Sequence, residues 1–117
     1  MLARLHVIIA SEADKDIEMI KQLLLNIDPK FSISPARQYQ GLKDHSEFYC
    51  TCDLLEDEVQ PLLDKLNNDW DGEYFDCICY GFNTKMFHEL IYHLGFVLFY
   101  YLLIFINWII NVIERFN

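Results

Sequence analysis

Four cysteines form the most regular pattern of reactive side chains in the sequence, as two C-x-C pairs at Cys50 and Cys52 and at Cys77 and Cys79. Four thiolates could hold zinc, but structural zinc sites usually use C-x-x-C spacing in a turn, and both pairs here lie within strand patterns. In the sheet predicted below, the first strand separates the two pairs by about 10 Å, too far for a shared ion or a disulfide. We therefore expect free cysteines buried as small apolar residues, and no metal site.

Histidines and glycines give no catalytic signature. The four histidines are His6, His45, His88 and His93. They share no spacing with a carboxylate and a nucleophile that would indicate a catalytic triad. Only four glycines are present, and they form no phosphate-binding loop. The sequence thus predicts no catalytic residues, no cofactor and a protein that is not an enzyme.

Carboxylates are concentrated between residues 53 and 76, where nine acids stand against one base, Lys65. The net charge of the chain is -9 and its pI is about 4.6, which argues against direct nucleic-acid binding. An acidic field of this kind would steer a basic protein into contact, and aromatic side chains beside it would fill a pocket on that partner. A solvated face that only keeps the protein in solution is the alternative. The candidate partner-binding residues are Glu56, Asp57, Glu58, Asp69, Trp70, Asp71, Glu73 and Tyr74.

Apolar periodicity predicts the elements that position these residues. Strands and helices alternate in the order βαββαβ, which is typical of a ferredoxin-like α+β sandwich, an antiparallel sheet with two helices on one face. Right-handed crossovers would place the first and third strands in the middle, the fourth beside the first and the second beside the third. The predicted strands are residues 4–9, 31–39, 45–53 and 74–82, and the predicted helices are residues 12–26 and a second helix from about residue 57.

The C-terminal part of the chain is predicted to differ from the rest, which divides the sequence into an α+β sandwich at 1–85 and a hydrophobic segment at 86–117. Residues 94–113 form 20 residues without a charge, long enough for a transmembrane helix. Two asparagines, central tyrosines and few flanking positive charges argue against insertion. The segment is thus predicted to be an extra hydrophobic helix. Whether it enters a membrane, or is a helix or strand buried against the sheet or against a second subunit in a homodimer, stays open.

The chain is a small acidic domain with free cysteines predicted and no catalytic motif. With the segment 64–87, DKLNNDWDGEYFDCICYGFNTKMF, it resembles the immunity proteins of bacterial contact-dependent growth inhibition and related polymorphic toxin systems. The resemblance covers at most residues 1–87. It implies a cytoplasmic, non-enzymatic protein that binds and neutralises a cognate basic toxin domain, often a nuclease, by covering its active surface. The alternative is a tail-anchored protein on the cytoplasmic face of the inner membrane, whose cytosolic domain binds a ligand or partner.

Overall fold

A computed structural model describes residues 1–66, 70–71, 79–83, 86–99 and 101–116 of the chain, and for residues 71, 79–83 and 101–107 it describes the backbone only. This part of the protein is α+β, with an antiparallel sheet and three helices. The strands are β1 (Leu2–Ile9), β2 (Ser32–Ile33), β3 (Arg37–Gln38), β4 (Ser46–Asp53), β5 (Trp70–Asp71), β6 (Cys79–Asn83) and β7 (Ile91–Phe99), and the helices are α1 (Asp14–Ile27), α2 (Val59–Leu66) and α3 (Tyr101–Phe116).

The hydrophobic core lies between one face of the sheet and the helices α1 and α2. Alternate residues of the strands supply the sheet side, because successive side chains of a strand point to opposite faces. The helices bury stripes at helical spacing, which the sequence predicts and the structure confirms. The buried positions are Ala3, Leu5, Val7 and Ile9 on β1, Phe48, Cys50 and Cys52 on β4, Leu94, Phe96 and Leu98 on β7, Ile17, Ile20 and Leu24 on α1, and Val59, Leu62, Leu63 and Leu66 on α2.

Strands β1 and β4 are neighbours in the middle of the sheet, as predicted for the first and third strands. The predicted second strand also lies beside the third, but it is divided into β2 and β3, which each pair antiparallel with β4. Pro35 lies in the interruption. Because proline has no backbone N–H to donate to a ladder, a continuous strand through this position is disfavoured.

The strand on the other side of β1 differs from the prediction. The sequence places residues 74–82 there, whereas the structure places β7 beside β1, with β6 next to β7 and β5 next to β6. Residues 74–78 of the predicted fourth strand lie outside the described residues. The ferredoxin-like arrangement is therefore not confirmed in the form that the sequence predicts.

The predicted extra C-terminal helix is present as α3, but the uncharged run 94–113 is not helical throughout, because its first residues belong to β7. The chain completes β7 within this run and then forms α3. A continuous apolar run carries no periodicity that distinguishes a buried strand from a buried helix, so the change of element is invisible in the composition. The segment predicted as 86–117 therefore supplies a strand to the sheet as well as a helix. Among the residues described, no helix combines the length and the apolar character needed to cross a membrane.

Candidate functional site

Part of the predicted partner-binding surface lies where β4 ends and α2 begins. The acidic edge, as we call it, consists of Asp53, Leu55, Glu56, Asp57 and Glu58. The Asp53 side chain is 70% exposed, Glu56 and Asp57 are exposed, and Glu58 is partly exposed. Leu55 is 68% exposed, although the preceding leucine is buried in the core. The acidic edge therefore presents one apolar side chain to solvent among four carboxylates.

Hydrogen bonds from other parts of the chain hold the acidic edge in place. The Lys30 ammonium lies 2.8 Å from Oε2 of Glu58, and the backbone N–H of Leu55 donates to Oε1 of the same carboxylate at 3.0 Å. The N-terminal ammonium of Met1 lies 3.0 Å from Oδ1 of Asp53. The hydrogen bond from Lys30, followed by that from the Leu55 backbone, lowers the pKa of Glu58 below its ordinary value. The Glu58 carboxylate therefore stays ionised at neutral pH.

An open groove of about 450 Å³ adjoins the acidic edge, between the loop after α1 and the start of α2. Lys30 and Pro29 line one side, and Asp57, Glu58 and Pro61 line the other. The groove thus has charges of both signs within a shallow depression.

The remaining predicted partner-binding residues lie around β5. Trp70 is partly buried, with its indole N–H 3.5 Å from the carbonyl oxygen of Leu63 and its ring 6.2 Å from the ring of Phe96. Its ring thus packs partly against the core. Asp71 is described as a backbone position in β5. Asp69, Glu73 and Tyr74 lie outside the described residues, so their part in binding stays a prediction.

The structure brings together a second group of polar side chains that the sequence does not predict. On the sheet face opposite the helices, Nε2 of His6 lies 2.8 Å from Oε2 of Glu47, and Nε of Arg37 lies 2.8 Å from Oε1 of the same carboxylate. The Glu47 side chain is only 9% exposed. Burial raises the pKa of Glu47, but the hydrogen bonds and charges of His6 and Arg37 outweigh it and leave the pKa lowered. Glu47 is therefore a buried anion that pairs with Arg37 and is hydrogen-bonded to His6.

Aromatic rings lie beside the His6–Glu47 pair. The His6 ring stacks on Tyr49 at a centroid distance of 4.6 Å and meets His93 edge-on at 5.4 Å. The Arg4 guanidinium lies 5.0 Å from the centroid of Tyr49 and 5.5 Å from that of Phe99. Burial, together with the nearby His6, lowers the pKa of His93 below its ordinary value. The polar face cluster, as we call it, consists of Arg4, His6, Arg37, Glu47, Tyr49 and His93.

Alternation in the sequence indicates part of this cluster. Arg4 and His6 alternate with the core residues of β1, and Tyr49 points to the other face of β4 from the buried cysteines. Each of these strands therefore has a polar side. What the alternation does not indicate is the pairing of β1 with β7, in which His93 is the strand partner of Ile8. That pairing cannot be inferred while His93 is assigned to the segment leading into a helix.

Cys50 and Cys52 are free and buried, which confirms the prediction for this pair. Burial, the largest cause, raises the pKa of Cys50 to about 12 and that of Cys52 to about 11. Cys79 lies on β6, separated from β4 by both β1 and β7, and Cys77 is outside the described residues. In the described ranges, no three His, Cys, Asp or Glu side chains are grouped so that they could hold a metal ion.

Comparison of the chain with protein-family models, with curated proteins and with solved structures finds no match. What the protein does must therefore be inferred from the charge, exposure and packing of its own residues.

Proposed function

We propose that the protein is a non-enzymatic immunity protein that binds a basic toxin domain, a nuclease, and neutralises it by covering its active surface. The observation that carries this proposal is the acidic edge, where an exposed leucine is surrounded by carboxylates. Protein interfaces commonly combine an apolar anchor at the centre with charged residues around it. A nuclease that binds nucleic acid presents the complementary basic surface.

The charge of the protein supports fast association with such a partner. Opposite charges on two proteins can raise the association rate from about 10⁵–10⁶ M⁻¹s⁻¹ to 10⁸–10⁹ M⁻¹s⁻¹ at low salt. Hydrogen bonds from Lys30 and Met1 already hold Glu58 and Asp53, so less side-chain freedom is lost on binding than for unsupported carboxylates. We propose that the acidic edge provides both the steering field and, through Leu55, the apolar contact.

The predicted residues around β5 would extend the same surface. Asp69, Asp71 and Glu73 have the charge of the acidic edge, and Trp70 and Tyr74 add aromatic side chains. We keep them in the proposed interface because they follow α2 directly in the chain. Trp70 has a supporting role in this proposal, since its ring packs partly against the core.

A ferredoxin-like core is our proposal for the arrangement of the strands. The order β7-β1-β4-β2, with α1 and α2 in the connections, has the strand sequence of a split βαβ sandwich if β7 is taken as the fourth strand. In this proposal the pair β5 and β6 is an insertion before the last strand, and α3 is an addition after it.

Self-association through α3 is the proposal for the C-terminal segment. Ile110, Ile113 and Phe116 are exposed and follow one another at intervals of three residues. Helical residues three apart lie on one side, and a row of large apolar side chains there would be covered if two copies packed together. We therefore propose that this row packs against the same row of α3 in a second copy of the chain.

Co-expression with the product of the neighbouring open reading frame, which the proposal requires to be toxic when it is expressed alone, tests the proposed function. The wild-type protein is expected to restore growth, and the double variant Glu56→Lys/Asp57→Lys is expected to lose most of this protection. The variant Glu12→Lys/Glu18→Lys, which makes the same charge change at exposed positions near α1, should still protect. A wild-type protein that gives no protection would refute the immunity function, and equal protection by both variants would refute the assignment of the site.

A further inference from the structure

Asp28 is a buried acidic residue in the wall of the open groove beside the acidic edge. Only 7% of this residue is exposed, whereas Asp57, which lines the same groove, is exposed. Asp28 directly follows α1, and because Pro29 comes next, it adopts an extended conformation with φ −148° and ψ 112°. The end of the helix therefore places a recessed acidic residue in the wall of the groove.

The Asp28 carboxylate has acceptor capacity that the chain leaves unused. Its Oδ1 accepts a hydrogen bond from the backbone N–H of Lys30 at 2.9 Å. In the part of the chain that the structure describes, Oδ2 has no hydrogen-bond donor. The Lys30 ammonium does not supply one, because it lies 2.8 Å from the Glu58 carboxylate. Since an ionised carboxylate can accept several hydrogen bonds, Oδ2 is available to a donor that enters the groove.

The groove is negatively charged once its internal ion pair is taken into account. Lys30 and Glu58 neutralise each other. The other charged residues that line the groove are the acids Asp28 and Asp57 and the base Lys65. Two acids against one base leave the groove negative, and this charge is complementary to a cationic group on a basic protein.

Apolar residues form much of the remaining lining. Pro29 and Pro61 are exposed at the surface of the groove, while Leu54 and Leu62 are buried in the core. The volume of about 450 Å³ lies in the usual range of ligand sites, about 300–1,000 Å³. A long side chain with an apolar stem and a charged head matches this lining, because such a stem packs along apolar surface.

We propose that the groove binds an arginine side chain of a partner protein, with the guanidinium on Oδ2 of Asp28 and the stem between Pro29 and Pro61. Arginine is favoured over lysine because its planar guanidinium has five N–H donors and is less strongly hydrated than an ammonium. It can therefore bind Asp28 and still donate to Asp57 at the rim. The inference rests on the proposed function for the partner, a basic toxin domain, and makes Asp28 a binding residue of that interface.

Titration of the full chain with N-acetyl-arginine amide, followed by the backbone NMR resonances of Lys30 and Leu54, tests the groove. We expect saturable shifts in the wild type and an affinity lower by about tenfold or more in Asp28→Asn. The asparagine keeps an oxygen that can accept the Lys30 N–H. Asp44→Asn is the matched control, because this exposed residue lies before the other end of β4 and asparagine tolerates its φ of 62°. It should bind as the wild type does.

Two further variants and two further ligands make the test independent of the folding of Asp28→Asn. Asp57→Asn, at an exposed position, should weaken binding, whereas Lys65→Gln should strengthen it by removing a positive charge from the groove. N-acetyl-citrulline amide, which has a similar shape without the charge, should bind about tenfold or more weakly. N-acetyl-lysine amide should also bind more weakly than the arginine amide.

Three results would overturn this proposal. Absence of saturable shifts at tens of millimolar arginine amide would show that the groove does not bind the side chain. Wild-type affinity in both Asp28→Asn and Asp57→Asn would show that these carboxylates do not hold it. Citrulline amide that binds as tightly as arginine amide would show that the charge is not recognised. The titration uses no toxin, so arginine binding can be found without protection of cells, and protection without arginine binding would refute the groove alone.

Discussion

His6 and Glu47 form a diagonal pair across the two central strands, with Nε2 of His6 2.8 Å from Oε2 of Glu47. In strand register, His6 is opposite Tyr49, and Glu47 is opposite Ile8. The contact therefore joins neighbouring positions of the same sheet face rather than direct partners. Because Glu47 also binds Arg37 on β3, one buried carboxylate connects three strands, and the stability of the sheet edge should depend on it.

Replacement of Glu47 by alanine should lower the free energy of unfolding by about 1–3 kcal/mol, the range for loss of hydrogen bonds to a charged group. Removal of one partner from a fully buried ion pair costs about 3–5 kcal/mol. The loss here should be smaller, because the Arg37 side chain is 68% exposed and water can solvate it. Urea unfolding measures the difference. Glu12→Ala, at an exposed site, should change the free energy by less than about 0.5 kcal/mol, and equal effects of the two variants would contradict the role of Glu47.

Acid should destabilise the protein partly through Glu47. The pKa of Glu47 is lowered from 4.5 in the folded protein, so the unfolded chain takes up a proton first as the pH falls. The stabilisation is complete above pH 4.5 and is lost as the pH falls through the lower folded pKa. Unfolding free energies measured over this range should fall less steeply for Glu47→Gln than for wild type. Parallel curves for the two proteins would refute this contribution.

His93 should add a second pH dependence to the free energy of unfolding, which again falls as the pH is lowered but over a higher pH range than for Glu47. Its pKa is lowered from 6.5 by burial and by the nearby His6, so the folded protein binds the proton more weakly than the unfolded chain. The stabilisation is complete above pH 6.5 and is lost as the pH falls through the folded pKa. NMR titration of the His93 ring should show a midpoint below the ordinary histidine pKa of 6.5. A His93 midpoint at or above 6.5 would contradict the burial argument.

Cys50 and Cys52 should be almost unreactive in the folded protein. Their burial raises the pKa values to about 12 and about 11, so little thiolate is present at pH 8, and thiol reagents react with the thiolate. In a Cys77→Ser/Cys79→Ser background, we expect slow labelling by a disulfide reagent in buffer and rapid labelling of two thiols in denaturant. Rapid labelling without denaturant would show that β4 does not bury these side chains.

The sequence predicts the first part of the fold well because its strands and helices have clear boundaries. Alternation in β1 and β4, the proline that follows α1 and the apolar stripe of α2 each correspond to an element in the structure. The long uncharged run is different, since a strand buried in a sheet and an apolar helix have the same composition. Composition therefore does not show that this run contains the end of β7, which is the strand that pairs with β1.

The two candidate sites also differ in how much of each the sequence predicts. Glu56, Asp57 and Glu58 are predicted from charge alone, and the first two are exposed and the third partly exposed, because acidic side chains are rarely buried in full. His6, Glu47 and His93 come from three strands far apart in the chain and are brought together by the strand pairing. A pattern within one strand shows which side a residue faces, but not which residues of other strands it meets.

Self-association through α3 predicts a dimer at micromolar concentrations by sedimentation velocity. Ile110→Gln/Ile113→Gln should shift the protein to a monomer, because each substitution places a polar amide in the proposed apolar contact. Asn111→Ser/Glu114→Gln, which changes exposed polar residues of the same helix, should leave the dimer intact. A monomeric wild-type protein, or a dimer that both double variants retain, would refute the contact through this row.

The rate of association with the toxic domain that the growth assay identifies tests the central claim most directly. Stopped-flow measurements over a range of salt concentrations should show a rate constant that falls steeply with salt for the wild type and for Glu12→Lys/Glu18→Lys. Glu56→Lys/Asp57→Lys should associate about tenfold or more slowly at low salt and with much less salt dependence, because the charges that steer the partner are reversed. If instead both double variants match the wild type in rate and salt dependence, the acidic edge is not the binding surface.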